Sequence, residues 1–434
     1  MSKVVKFGGS SLASAEQFKK VGNIIRADKE RKYVVPSAPG KRFSDDTKVT
    51  DMLYACYDLA DQGKSFKAEL DAIKARYQEI IDGLQLDLDL VDEFKTIEKN
   101  FKAKAGSNYA ASRGEYLNGI IMANYLGYDF IDAATVIFFD ENGEFDAAKT
   151  NEVLRARLAE SKEAVVPGFY GAMPDGTVKT FSRGGSIVAK AAKADVYENW
   201  TDVSGFLVTD PRIVENPVPI ETITYKELRE LAYMGASVLH EDAIFPVRRE
   251  GIPINIRNTN KPEDPGTLIV ENTCRKPKYT ITGIAGKTGF CSVTIEKAMM
   301  NSEIGFGRKV LGVFEDCGIS FEHMPSGIDT MTIFVHQSEF EQHEQFVISN
   351  IHRAVQPDSI ELESDLALIA VVGRGMKSTR GTAGRIFSAL AHKNINVKMI
   401  DQGSSELNII IGVANEDFET AIQAIYDIFV ITRL

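Results

Sequence analysis

A chain of 434 residues is too long for one ordinary core and suggests about three compact units. Hydrophobic residues make up 44% and charged residues 26%, and no apolar run reaches membrane-spanning length, so a soluble protein is expected with no membrane partner. A net charge of −11 and a pI near 5.3 argue against a basic face for nucleic acid or an anionic membrane surface.

The opening residues Met1-Ser2-Lys3-Val4-Val5-Lys6-Phe7 lack the apolar stretch of a secretory signal, which points to the cytoplasm. Lys3 to Phe7 reads as a strand, Gly8-Gly9-Ser10-Ser11 as a turn, and Ser14-Ala15-Glu16-Gln17 as a capping box. Phe18, Val21, Ile24 and Ile25 supply the apolar stripe of the helix that follows. Paired glycines between strand and helix let backbone N–H groups approach a phosphate, with Lys6 adding a point charge, although such a turn can also be purely structural. Neither the P-loop nor the Rossmann glycine pattern occurs. Further strands are expected at Tyr33 to Ser37, Ala164 to Phe169, Asp195 to Tyr197 and Pro253 to Arg257, with Pro36 awkward inside the first of them. Strands alternating with amphipathic helices predict a mostly parallel α/β sheet covered on both faces. Ser37-Ala38-Pro39-Gly40-Lys41 then forms a second loop on the sheet edge where ligands of such folds collect.

Ser112-Arg113-Gly114-Glu115 opens a helix that stops at Gly127. Glu115 has two readings there: it favours the positive end of the helix dipole, or it projects into a cleft and holds an ammonium group. Phe181-Ser182-Arg183-Gly184-Gly185-Ser186 joins an arginine fork to flexible backbone donors, a set that suits a carboxylate or phosphate oxygen or forms an ordinary turn. Thr201-Asp202-Val203 and Thr209-Asp210-Pro211-Arg212 suit a magnesium-bound nucleotide, or are Asx turns. The six histidines show no ligand spacing, so no metal site is assigned, and Cys56, Cys274, Cys291 and Cys317 form no CxxC pair. Asn258 to Lys278, with Pro262, Pro265, Gly266 and Pro277, is the expected domain boundary.

From Phe290 onward one supersecondary unit occurs twice. Val310-Leu311 and Gly318-Ile319-Ser320-Phe321 match Ile386-Phe387 and Asn394-Ile395-Asn396-Val397 at an offset of 76 residues. The same offset sets Gly305 on Gly381, Gly327 on Gly403 and Met331 to Val335 on Leu407 to Ile411. Each copy reads as a ferredoxin-like βαββαβ unit. Arg374, Lys377, Arg380 and Arg385, at the start of the second copy, read as a solvated loop.

Taken together, Lys6-Phe7-Gly8-Gly9-Ser10, Ser112-Arg113-Gly114-Glu115, Arg183-Gly184-Gly185-Ser186, Thr201-Asp202-Val203 and Thr209-Asp210-Pro211-Arg212 resemble the aspartate kinase family in order and spacing, over nearly the whole chain. The duplication looks like the paired ACT domains of that family, which kinases for glutamate and other acceptors generally lack. The resemblance implies a catalytic amino-acid kinase domain over 1–275 and ACT domains over 285–360 and 364–434. It implies phosphorylation of L-aspartate by ATP with Mg²⁺, the first step of lysine, threonine and methionine biosynthesis, in a homodimer or dimer of dimers joined through ACT domains. Lys6 is then catalytic and, with Gly8, Gly9, Ser10, Thr201, Asp202 and Arg212, faces the nucleotide. Thr50, Glu115, Arg183, Gly184, Gly185 and Ser186 face aspartate. An effector is expected at Met300, Ser302, Gly305 and Phe306, with Glu322 and Asp329 favouring lysine over threonine. The chain departs from the family after Ser186, where an Asp and a Thr-Gly step are usual and Ile187 follows at once. Ser237 and Leu207 stand where lysine and tyrosine are frequent. A silent amino-acid sensor and another kinase of the same fold are the alternatives.

Overall fold

Lys3–Phe7 forms β1 as expected, with Val5 and Phe7 fully buried on one face and, on the other, Val4 fully buried and Lys6 half-buried. These are features of a computed structural model that describes residues 1–181, 184–236, 246–274 and 277–432. The Ser14 side chain caps α1 (Ala15–Arg26) by accepting from the Gln17 N–H at 3.4 Å, and Phe18, Val21, Ile24 and Ile25 are buried along one stripe. The chain continues through β2 (Arg31–Pro36), α2 (Val49–Asp61), α3 (Lys67–Leu84), α4 (Val91–Lys102) and α5 (Ser107–Leu126). Next come β3 (Asp129–Phe130), α6 (Ala147–Glu160), β4 (Ala164–Val165), β5 (Tyr170–Ala172), β6 (Val178–Thr180), α7 (Gly184–Ala191) and β7 (Val196–Thr201). β8 (Thr222–Thr224), α8 (Tyr225–Tyr233), β9 (Ile254–Asn258) and β10 (Thr267–Val270) follow.

Eight of these strands join in the order β3-β4-β2-β1-β7-β9-β10-β8, parallel throughout except between β9 and β10. The strand expected from Ala164 to Phe169 stops at Val165, because Pro167 has no N–H to give and Phe169 turns to φ 74°. Pro36 is the last residue of β2, paired with Phe7, so the ladder ends where its missing N–H falls. Helix α5 begins five residues before the expected Ser112 and closes at Gly127 with φ 73°.

Two compact units account for the chain. The first comprises Met1–Phe206, Glu221–Tyr225 and Val238–Thr273, and the second Leu207–Ile220, Lys226–Ser237 and Cys274–Leu434. The kinase portion expected as one stretch over 1–275 thus lends two segments to the second unit. In the first unit a core including Val5, Phe7, Phe18, Leu53, Tyr77 and Phe101 joins the sheet to α1 through α5.

The second unit contains β11 (Gly283–Glu296), α9 (Phe306–Asp316), β12 (Phe321–His323), β13 (Thr330–His336), α10 (Glu344–Val355) and β14 (Ser359–Val372). α11 (Thr382–His392), β15 (Met399–Asp401), β16 (Asn408–Ala414) and α12 (Phe418–Tyr426) complete it. β11 on β14 and α9 on α11 keep the offset of 76 residue for residue, but β13 lies 78 residues before β16. Met331 therefore corresponds to Ile409 and not Leu407, the two extra residues entering between Ile395 and Met399.

The six strands form one antiparallel sheet, β12-β13-β11-β14-β16-β15. β11 and β14 are each 14 residues long, and Gly289 at φ 87° and Asp365 at φ 59° interrupt them midway. Phe290–Glu296 pairs with β13, whereas Gly283–Thr288 pairs with Ala367–Val372, which in turn pairs with β16. The fourth strand of the second copy is thus drawn from residues that precede the first copy. The expected limits at 285, 360 and 364 fall inside continuous strands. No helix among the described residues is long and apolar enough to cross a membrane.

Candidate active site

Four strand ends converge at the carboxyl edge of the parallel sheet: Gly8 after β1, Ser37 after β2, Asp202 after β7 and Thr259 after β9. The ladder carries on into these turns. Gly8 N–H donates to the Trp200 carbonyl at 3.0 Å, Ser37 N–H to Phe7 at 3.1 Å and Thr259 N–H to Thr201 at 2.8 Å. The Ser11 and Thr259 hydroxyls meet at 2.7 Å. Parallel sheets gather ligands at this edge because every following turn opens on the same side.

The first two turns touch. Gly40 N–H donates to the Gly9 carbonyl at 2.8 Å, and a β-carbon at Gly40 would lie 2.6 Å from the Gly9 carbonyl carbon. A side chain at either position would part them, so this glycine pair is required by close approach. Lys6, two residues before Gly8 on β1, is flanked by Val35 of β2 and Asn199 of β7. Burial pulls its ammonium below the usual 10.5, while the charge of Glu115 opposes that shift.

Glu115 is the ninth residue of α5, two turns beyond the helix start, which removes the helix-dipole reading. Its Oε1 accepts from the Ala38 N–H at 3.1 Å and its Oε2 is buried with no hydrogen-bond partner among the described residues. Burial pushes this carboxyl up to about 7, against the pull of the Ala38 N–H and of Lys6 and Arg113. One turn later Asn118 donates through Nδ2 to the Ser37 carbonyl at 2.6 Å, leaving Oδ1 buried and unpartnered among the described residues. Two residues of one helix face thereby fasten the second turn. Gly114 lets α5 come this close: a β-carbon there would lie 2.8 Å from that of Ala38. Thr50, the second residue of α2, borders the same place, its Oγ1 3.8 Å from that point.

The other expected residues fall in several settings. Ser10 and Asp202 are exposed at the rim, and the Thr201 hydroxyl donates to Asp202 at 3.1 Å. Gly184, Gly185 and Ser186 make the first turn of α7 and are buried, Gly184 against Gly168 and Gly185 against the Tyr197 hydroxyl. Arg183 and Ser237 lie outside the described residues. Arg212 belongs to the second unit and pairs with its neighbour Asp210 at 2.6 Å. Leu207, also of the second unit, is partly exposed. Asn118, at i+3 from Glu115, carried a legible spacing that sequence reasoning did not use. Arg76 of α3, which reaches the Gly40 carbonyl at 2.8 Å, carried none.

In the second unit Met300 and Phe306 are buried in the core of the first copy. The Ser302 hydroxyl donates to the Met299 carbonyl at 2.8 Å, and Gly305 at φ 82° precedes α9. Asp329 accepts from the Met299 N–H at 2.8 Å, next to the first residue of β13. Glu322 lies 3.3 Å from His336, the last residue of β13, and takes a hydrogen bond from the Tyr233 hydroxyl. Seven residues of strand separate the ends by about 20 Å, so one chain does not bring these two carboxylates together.

A model of the amino acid kinase family matches residues 1–258, and a model of the ACT domain matches residues 369–429. Aspartokinase 3 of Bacillus subtilis is 40% identical over 98% of this chain and 98% of its own. Among solved structures, the aspartate kinase of Clostridium acetobutylicum is 52% identical and superposes with a TM-score of 0.90 over 98% of this chain and 99% of that one. Escherichia coli aspartokinase III, solved with lysine and aspartate, is 25% identical and superposes at 0.72 over 98% and 99% of the two chains.

Proposed function

The chain belongs to the amino acid kinase family and within it to the aspartate kinases, and on that premise we propose that it transfers the γ-phosphoryl group of ATP to the side-chain carboxylate of L-aspartate. The observation that carries this reading is a pair of unlike charges, the half-buried Lys6 and the buried Glu115, beside two touching glycine turns and without an ion-pair partner among the described residues. A cation and an anion kept apart in a buried edge suit a substrate that brings both signs. Phosphate oxygens lie along the Gly8 to Ser10 turn and Lys6, and the α-ammonium of the amino acid meets Glu115, with Thr50 beside it.

An aspartate carboxylate oxygen forms a bond to the γ-phosphorus as the bond to the ADP oxygen breaks, which gives 4-phospho-L-aspartate. Little covalent work falls to the protein, so catalysis rests on holding donor and acceptor in line and on the charge of Lys6. Mg²⁺, bound chiefly by the phosphates, would supply further charge neutralisation, and the exposed carboxylate of Asp202 at the rim suits an outer contact to such an ion. We assign the enzyme to the cytoplasm and to the first step toward lysine, threonine and methionine. The ACT pair would sense lysine: Glu322 has only a neutral hydroxyl and a histidine beside it and Asp329 only a backbone donor, so no Lys or Arg among the described residues offsets either charge. In a dimer joined through ACT domains the two carboxylates can belong to separate effector contacts.

The test is ADP release by the purified protein with Mg²⁺ and either L-aspartate or L-glutamate. Turnover with aspartate at least tenfold above that with glutamate is expected, and equal turnover would overturn the assignment.

A further inference from the structure

We propose that Arg76 is a positioning residue for phosphoryl transfer, its buried guanidinium setting the spacing between the two glycine turns and the loop that leads into Thr50. Arg76 is only 4% exposed, on the face of α3 turned toward these segments. One nitrogen, Nη2, donates both to the Ala13 carbonyl at 3.1 Å and to the Gly40 carbonyl at 2.8 Å. The other, Nη1, donates to Asp46 Oδ2 at 2.7 Å. Ala13 caps the single helical turn Gly9–Leu12 that continues the first glycine turn, and Gly40 is the residue that abuts Gly9. Asp46 in turn accepts from the backbone N–H and the Nε of Arg42, both at 2.9 Å, and so closes the loop between Gly40 and α2.

A planar guanidinium suits this task. Its donors are fixed relative to one another, so binding three segments with one group fixes their mutual distances, which a flexible ammonium does not. Nε is buried and unpartnered among the described residues, an unfavourable feature that persists because the other two nitrogens dictate where the group lies. The charge is balanced by Asp46, whose side chain is 10% exposed, so Arg76 is not a spare cation for substrate. The two nitrogens divide the work: Nη2 holds the turns together, and Nη1 holds the loop before Thr50. Which substrate each part serves rests on the reading proposed above.

Three variants test the division, with nucleotide affinity read from the single tryptophan, Trp200, whose carbonyl accepts the Gly8 N–H. Arg76→Met removes every contact and is expected to lower kcat about 100-fold and to raise the KM of both substrates about tenfold. Arg76→Lys keeps one nitrogen for the two carbonyls but cannot also span to Asp46. It should leave the KM for ATP within about twofold of wild type and raise that of the amino acid about tenfold. Asp46→Asn should match Arg76→Lys. A purely structural role predicts KM values unchanged in all three, with kcat lowered only in proportion to the folded fraction seen by Trp200 emission; that result overturns the proposal. So does an Arg76→Lys enzyme whose ATP KM rises as far as that of Arg76→Met. Should Arg76→Met fail to fold, the other two decide. If wild type does not phosphorylate aspartate, the substrate reading fails, while ATP titration of Trp200 fluorescence in wild type and Arg76→Lys still tests the Nη2 contacts.

Discussion

At Glu115 burial holds the carboxyl near 7 against an ordinary 4.5, so near neutrality the group is divided between its two forms. Only the ionised form accepts the ammonium of an amino acid. Below about pH 7, kcat/KM for aspartate should therefore fall roughly tenfold per pH unit, with KM for ATP moving little. Glu115→Gln should flatten that profile at a level at least 100-fold lower, measured by initial rates across pH 5.5 to 8.5, a range of about three units chosen to bracket the shift. Stability carries the opposite sign. Between pH 4.5 and about 7 the folded protein holds a proton that the unfolded chain has released, so stability falls as pH rises through that window, and Glu115→Gln should remove this slope in denaturant titrations. Lys6 was singled out in the sequence by the strand and paired glycines around it, whereas Glu115 carried two readings there and its place at the substrate came from the family resemblance. Arg76 was not legible: on an amphipathic helix an arginine reads as surface, and only the folded chain shows it buried behind the Gly40 turn.

Among the elements, the Gly9 and Gly40 turns make the sharpest test, since each occupies the space a side chain on the other would need. Gly40→Ala should raise the KM for ATP more than tenfold while the protein stays folded, because the clash at 2.6 Å falls on backbone that cannot rotate away. An unchanged ATP KM would separate the Gly40 turn from the nucleotide. The capping Ser14, the Gly127 stop and the first strand were readable because local chemistry decides them. The offset of 78 after Ile395 was not, and the reason is physical: a slip of two residues returns every side chain in a strand to the same face, so alternation alone cannot detect it. The two-residue strand β3 also escaped, since it is too short to show a period.

At the level of the whole molecule, α8 belongs to the second unit in space although it directly follows β8 of the first unit in sequence. Glu227 of α8 is fully buried in the second unit, accepting from the Thr282 hydroxyl at 2.6 Å and paired with Arg374 at 2.9 Å. One member of the basic cluster expected as a solvated loop, Arg374, thus serves as the counter-charge of a buried carboxylate. Lysine should inhibit at concentrations where threonine does not, and Glu322→Ala should raise the inhibitory lysine concentration about tenfold without altering turnover in its absence. Inhibition by threonine alone, in separate titrations of each amino acid, would refute the charge argument.

The borrowed strand Gly283–Thr288 also has a consequence in time. It is synthesised before the whole first copy, and its neighbours Ala367–Val372 emerge from the ribosome long afterwards, roughly 4 to 16 s later at ordinary translation rates. During that interval the first copy has its own strands, apart from the one opening β14, and its own helices at hand, while the nascent chain trails an unpaired edge at its root. Premature termination after the first copy would release that edge permanently, leaving a template for pairing with other chains.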